Sequence, residues 1–318
     1  MKDKIGSNFS VRFRMRRRLL LLVVLLVALY VLVPQIGGLS SSLTALRGAR
    51  PGYALAGLAA MGATYVVAAG TYWFLAKHGL QFSRTTLVQL SGAFVNRLLP
   101  AGIGGMGLNA QYLRTVGHSV PEAIAVVGAN NVMGFLGNTA VVWLLLAFNH
   151  MSFQLKLPHV VGGWYIALGI GGVVAANLFF FPHLRRAIVH MASGVGQALG
   201  GYSRHPWRLV GALGTSMALT VLHVIALWCA SQAIGVSLPL AAYAVIFSAG
   251  TLAAAATPTP GGLVGMEAGL AAGFVAYGVD AGQGLAIALL YRLVTYWLPL
   301  IPGFMAFTFV RRQLKLFY

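Results

Sequence analysis

Acidic residues are almost missing from this chain. Four Asp and Glu stand against 22 Lys and Arg in 318 residues, a net charge of +18. Charged residues of both signs make up only 8% of the sequence and apolar ones 58%, where soluble domains carry roughly a quarter charged residues. Too little charge is present to coat a water-facing surface, which points to an integral membrane protein. Cysteine is nearly absent as well. Cys229 is the only one, which excludes an intramolecular disulfide and any cysteine-built metal site. No metal-ligand cluster, nucleophile–base pair or nucleotide-binding motif is readable. The expectation is therefore a protein that is not an enzyme, with no catalytic residue, no metal and no cofactor. The basic residues are scattered through loops rather than gathered on one soluble face, which argues against a nucleic-acid partner.

What is present is long apolar sequence. Full spans are expected at about 19–33, 53–76, 120–148, 161–181, 207–234 and 285–310, each near the length that crosses a bilayer. Trp164 and Trp207 stand at span starts and Trp73 near a span end, where amphipathic rings favour the head-group layer. Basic residues gather in 1–18, 77–84, 185–208 and 311–315. The positive-inside bias places all four in the cytoplasm, with the charge-poor loops 150–160 and 234–240 outside. Arg47 and Arg50 then fall outside against that bias. Arg16, Arg17 and Arg18 fix orientation and meet anionic lipid. The expected organisation is a basic cytoplasmic tail at 1–18, one membrane domain at 19–310 and a second basic tail at 311–318.

Two further apolar segments, about 86–116 and 240–277, are interrupted by a repeated pattern. Gly92, Pro100, Gly104, Gly107 and Asn109 recur as Gly250, Pro258, Gly262, Gly265 and Glu267, at intervals of eight, four, three and two. A second pattern follows each copy: Gly117, Ser119, Glu122 and then Gly278, Asp280, Gln283. Each interrupted segment reads as two shorter helices meeting at the Pro/Gly break. With the charge bias, the first hairpin enters from the cytoplasm and the second from outside. The expected fold is all-α and polytopic: an inverted repeat, about 53–148 and 207–310, of six full spans plus two broken re-entrant-type hairpins. Binding sites in such repeats sit at the breaks, where freed N–H groups and a half-helix N-terminus favour anions.

Among the acids, Glu122 and Asp280 read as parts of helix-start capping boxes. Glu267 has no such role, and an ionisable residue within the membrane is a functional candidate that needs a partner. Arg292 is that partner. It lies twelve residues beyond Asp280, about 18 Å along a helix and past the middle of a ~30 Å apolar layer. The corresponding positions of repeat one are Asn109 and Asn131. The pair either lines a cavity, Arg292 meeting a lipid phosphate and Glu267 serving as counter-ion or proton carrier, or locks the hairpin structurally. Arg97 either meets phosphate or hydrogen-bonds freed carbonyls. Asn130 and Asn131 pair between helices or face substrate, and His223 reads as a neutral histidine bonded to a neighbouring helix.

The run Pro258, Pro260, Gly261, Gly262 through Glu267, followed by Gly278 and Tyr291–Arg292, resembles the lysylphosphatidylglycerol synthase transmembrane region, a flippase-like membrane family. Asn96–Arg97 with Pro100, Gly104 and Gly107 is similar to that family's first motif. The resemblance covers nearly all of 19–310. It implies a bacterial inner-membrane protein handling a polar lipid, as the flippase half of aminoacyl-phosphatidylglycerol synthases does; relatives are linked to isoprenoid-linked glycans and hopanoids. It also implies Glu267 and Arg292 as the polar residues of the second motif and Arg97 as that of the first. Two departures stand out. No soluble aminoacyl-transferase domain is present in the sequence, and Asn130–Asn131 stand where relatives often carry a basic residue. The function expected is flipping or scrambling of a phospholipid or other lipid head group between the hairpins. The alternative is an accessory subunit that docks or supplies a lipid- or glycan-modifying enzyme.

Overall fold

The computed structural model describes Thr44 and residues 46–77, 79–99, 103–148, 205–257 and 259–313. The expected spans 19–33 and 161–181, the tail 1–18, and Trp164, Pro100 and Pro258 lie outside the described residues.

The described residues are helical. α1 (Pro51–Leu75), α4 (Val120–Phe148) and α5 (Pro206–Ile234) fall close to the expected spans. Proline opens α1 and α5 at a first-turn position, where its missing N–H has no partner to lose. α5 stops at Gly235, whose φ of 83° puts it in the left-handed region. Its N–H and that of Val236 return to the Gln232 and Ser231 carbonyls, so the last carbonyls of the helix are satisfied.

Each interrupted segment is a helical hairpin. α2 (Phe82–Leu98) and α3 (Ile103–Thr115) form the first; α6 (Leu240–Ala256) and α7 (Gly265–Ala276) form the second. Apolar helices gain little from hydrophobic burial in lipid, so close backbone approach decides the pairing. Gly104 and Gly265 provide it. A Cβ on Gly104 would fall 2.6 Å from Val95 Cγ1, and one on Gly265 would overlap Thr257 Oγ1. Gly107, from the same motif, faces open space.

The expected last span differs from a plain helix. It runs as α8 (Ala281–Arg292), a π-helical turn (Leu293–Trp297) and α9 (Leu300–Gln313). Together these make one long apolar element, Ala281–Arg312. It is among the four described helices long and apolar enough to cross a membrane, with α1, α4 and α5. The irregularity has a cause at Pro299, which cannot donate into the helical ladder.

α1 and α5 pack along their length and run antiparallel. The Arg50 N–H donates to the Ala233 carbonyl at one end, and Arg208 Nη1 to the Ala76 carbonyl at the other. The hairpin after α1 therefore opens at one end of this pair and the hairpin after α5 at the opposite end. The pairings between elements also correspond. α1 packs on α2 as α5 does on α6, α3 on α4 as α7 on α8, and α2 on α9 as α6 on α4. At the base of the first hairpin the Lys77–Glu122 ion pair (2.9 Å) and the Lys77 N–H donating to His118 Nε2 tie entry to exit. Glu122 Oε2 accepts from the Ser119 N–H, and Asp280 Oδ1 accepts from the Gly282 and Gln283 N–H groups. Both acids thus serve helix starts. Trp73, Phe74 and Trp207 cluster at the Ala76 end, while Phe135, Trp143 and Phe148 of α4 are exposed, as suits an outward apolar face.

Gly265→Ala is expected to lower stability by about 1–3 kcal/mol through overpacking, while Gly107→Ala leaves it equal or up to ~1 kcal/mol higher. Thermal unfolding of the two variants in the same detergent compares them.

Candidate functional site

Charged side chains from both halves of the chain converge on one ring. Tyr296, in the π-helical turn, has the Arg292 guanidinium carbon 4.2 Å and the Arg97 guanidinium carbon 5.3 Å from its ring centroid. Arg97 comes from the end of α2 and Arg292 from the end of α8. Arg97, Glu267 and Arg292 are only 8, 9 and 8% exposed. An isolated charge at such depth is costly, and the neighbours show how this cost is offset.

Arg292 Nε donates to Glu267 Oε1 at 2.8 Å, and its Nη2 to the Gly261 carbonyl at 3.2 Å. Glu267 lies in the first turn of α7, where the helix dipole favours a carboxylate. The half-helix end expected to attract a foreign anion thus already holds one from its own chain. Gly261 and Gly262 reach this geometry through φ of 61° and 64°. A side chain on Gly261 would overlap the Tyr296 ring. Val264 also has a positive φ, 73°, a strained state for a β-branched residue, of order 1–3 kcal/mol. This strain sits just before the helix that carries Glu267.

Arg97 is held by a protein carbonyl in this structure. Its Nη2 donates to the Thr295 carbonyl at 2.6 Å. Thr295 lies four residues before Pro299, so the carbonyl lacks its ordinary helical donor. The freed carbonyl belongs to the last transmembrane element rather than to the break in Arg97's own hairpin. In return Tyr296 Oη donates to the Arg97 carbonyl at 3.4 Å, at the fraying end of α2. Tyr65 on α1 lies beside Arg97, close enough for the guanidinium to act on its hydroxyl by charge and by a weak contact that falls short of a full hydrogen bond.

A family model described as Lysylphosphatidylglycerol synthase TM region matches residues 18–303. The chain belongs to this family. No curated protein matches it. The span matched to the lysylphosphatidylglycerol synthase TM region contains both hairpins, all three buried charges and Tyr296. The chain is thus a membrane protein of a family named for a lipid-synthase membrane region.

The first hairpin of this family member is closed by neutral groups instead. Gln89 Nε2 donates to Asn109 Oδ1 at 2.7 Å, Asn109 Nδ2 to the Gly105 carbonyl at 2.9 Å, and the Gly105 N–H to Asn96 Oδ1. Asn109 is buried in these bonds. Asn131 is exposed, with Nδ2 3.7 Å from Met106 Sδ. The residues corresponding to Glu267 and Arg292 therefore do not pair with each other, and Asn131 stands apart from the charged cluster. His223 bonds a neighbouring helix: its Nδ1 is 3.2 Å from Tyr291 Oη, and its ring stacks on Phe247. The three charged side chains are buried in the described arrangement. Two surface hollows lie elsewhere, one of about 540 Å³ along Val66, Gly70 and Trp73, the other of about 380 Å³ at Arg114 and His118.

Sequence reasoning missed Tyr296, Thr295, Tyr65 and Gln89. Two of them carried a signal: Tyr296 is one helical turn beyond Arg292, and Thr295 stands four residues before a proline.

Arg292→Gln is expected to destabilise by about 3–5 kcal/mol, because it strands a buried carboxylate. Adding Glu267→Gln should restore at least ~1 kcal/mol of that loss. Equal stability of the single and double variants in detergent unfolding would contradict the buried pair.

Proposed function

We propose that this protein translocates a polar or anionic lipid head group across the bacterial inner membrane, between two hairpins inserted from opposite faces, with both termini cytoplasmic. The observation that carries the reading is the meeting of Arg97 and Arg292 over Tyr296 with Glu267 as the one counter-charge. Two guanidiniums and one carboxylate leave an excess positive charge, and a phosphodiester is the membrane anion that matches it. Guanidinium geometry suits phosphate oxygens better than a point charge does.

Several features support an inverted repeat. The two motif copies share their spacing, α1 and α5 are antiparallel, and the pairings of one half recur in the other. Arg47 and Arg50 sit with the charge-poor Ala233 end, so the positive-inside pattern rests on the remaining basic loops. In a translocation cycle the described arrangement is the closed state. The hairpins separate, a head group engages Arg97 beside the Thr295 carbonyl, and the acyl chains stay in lipid. Membership of a family named for a lipid-synthase membrane region agrees with a lipid substrate. No enzymatic step is required of this chain.

The test is movement of tail-labelled anionic phospholipid in liposomes holding the full chain. Arg97→Lys and Arg292→Lys keep charge but lose the planar fork, and each is expected to slow movement by about tenfold or more, the scale of one lost charged hydrogen bond. Wild-type rates in both variants, or a wild-type protein that moves no lipid and co-purifies with a lipid-modifying enzyme, would overturn the translocase in favour of an accessory role.

A further inference from the structure

Among the described residues, three buried side-chain atoms have no hydrogen-bond partner: Arg97 Nη1, Glu267 Oε2 and Tyr65 Oη. All three belong to the cluster around Tyr296 and Arg97. Arg97 and Glu267 flank Tyr296 together with Arg292, and Tyr65 interacts with Arg97. Each charged group is half engaged. Arg97 spends Nη2 on Thr295 and Glu267 uses Oε1 on Arg292, while the second nitrogen and the second oxygen stay unmet. An unmet buried polar atom costs about 1–3 kcal/mol, and more when charged. Three such atoms in one place, two donors and an acceptor, describe the ligand that would satisfy them.

We infer that these atoms are the head-group contacts, so that the substrate is a phospholipid whose head group carries its own hydrogen-bond donor beside the phosphate. The inference rests on the translocation reading and narrows it. The phosphodiester accepts from Arg97 Nη1 and the Tyr65 hydroxyl, and its single negative charge balances the two guanidiniums and one carboxylate. A hydroxyl or ammonium on the same head group donates to Glu267 Oε2. Phosphoglycerol and phosphoethanolamine head groups meet both demands. A phosphocholine head group offers the phosphate but has no N–H or O–H, and leaves Glu267 Oε2 unmet. A site built to receive a donor rejects the analogue that lacks it more sharply than an apolar pocket would.

Two measurements on the full chain test this. In liposomes, tail-labelled phosphoglycerol and phosphoethanolamine lipids should move about tenfold faster than the phosphocholine lipid, the ratio set by one charged hydrogen bond. Tyr65→Phe should slow all three by a similar factor and leave their ratio unchanged. It should also melt close to wild type, because the contact of its hydroxyl with Arg97 falls short of a full hydrogen bond. In detergent, glycerophosphoethanolamine should raise the melting temperature more than glycerophosphocholine, and Tyr65→Phe should reduce that rise. Equal movement of the three lipids overturns the inference and leaves translocation standing. If no lipid moves, translocation falls and the melting arm alone decides. A larger shift with glycerophosphoethanolamine that Tyr65→Phe reduces then supports the contacts, and equal or absent shifts, as for atoms met by water alone, reject them.

Discussion

Three charges buried together under one tyrosine ring set the terms for the rest of this molecule. Lipid and apolar side chains solvate ions poorly, so Arg97, Arg292 and Glu267 persist only where other groups answer them. The local oddities around them follow. Gly261 occupies the left-handed region because the ring leaves no room for a side chain and its carbonyl must reach Arg292. Pro299 frees the Thr295 carbonyl, and Arg97 fills it from the other half of the chain. The π-helical turn lies where such turns often occur, at a site that needs a re-aimed side chain.

Much of the scaffold was legible in sequence because each signal was local. Apolar length fixed α1, α4 and α5, and the Pro/Gly breaks marked both hairpins. The Glu267–Arg292 pair was readable because a deep acid and a deep base in neighbouring segments have few other partners. What sequence could not supply was convergence. Arg97 and Thr295 are far apart along the chain, and only the packing of α2 on the last element brings them together. The surroundings of Asn131, which bonds Met106 on α3, escaped for a related reason. Equal counting from Ser119 located its position along α4 but not the face that it occupies, and that face is exposed. The irregular turn after Arg292 escaped because a proline signals a missing donor without saying which donor replaces it.

The two halves share a plan and differ in chemistry. Neutral amides close the first hairpin through Gln89, Asn96 and Asn109, whereas the second is fastened by an ion pair. The first half nevertheless contributes a charge, since Arg97 crosses to the second half's ring. The buried charges thus belong to the junction of the halves rather than to one of them. Backbone strain at Val264 and half-satisfied polar groups lie together at this junction.

The central claim is that the two hairpins enter from opposite faces of the membrane and meet at Tyr296. Single cysteines at Gly79 and Ser237, near the bases of the first and second hairpins, test it most directly in a Cys229→Ser background, using a membrane-impermeant thiol reagent on sealed vesicles of known orientation. The account predicts that the two positions label from opposite sides. Labelling of both from the same side would contradict it.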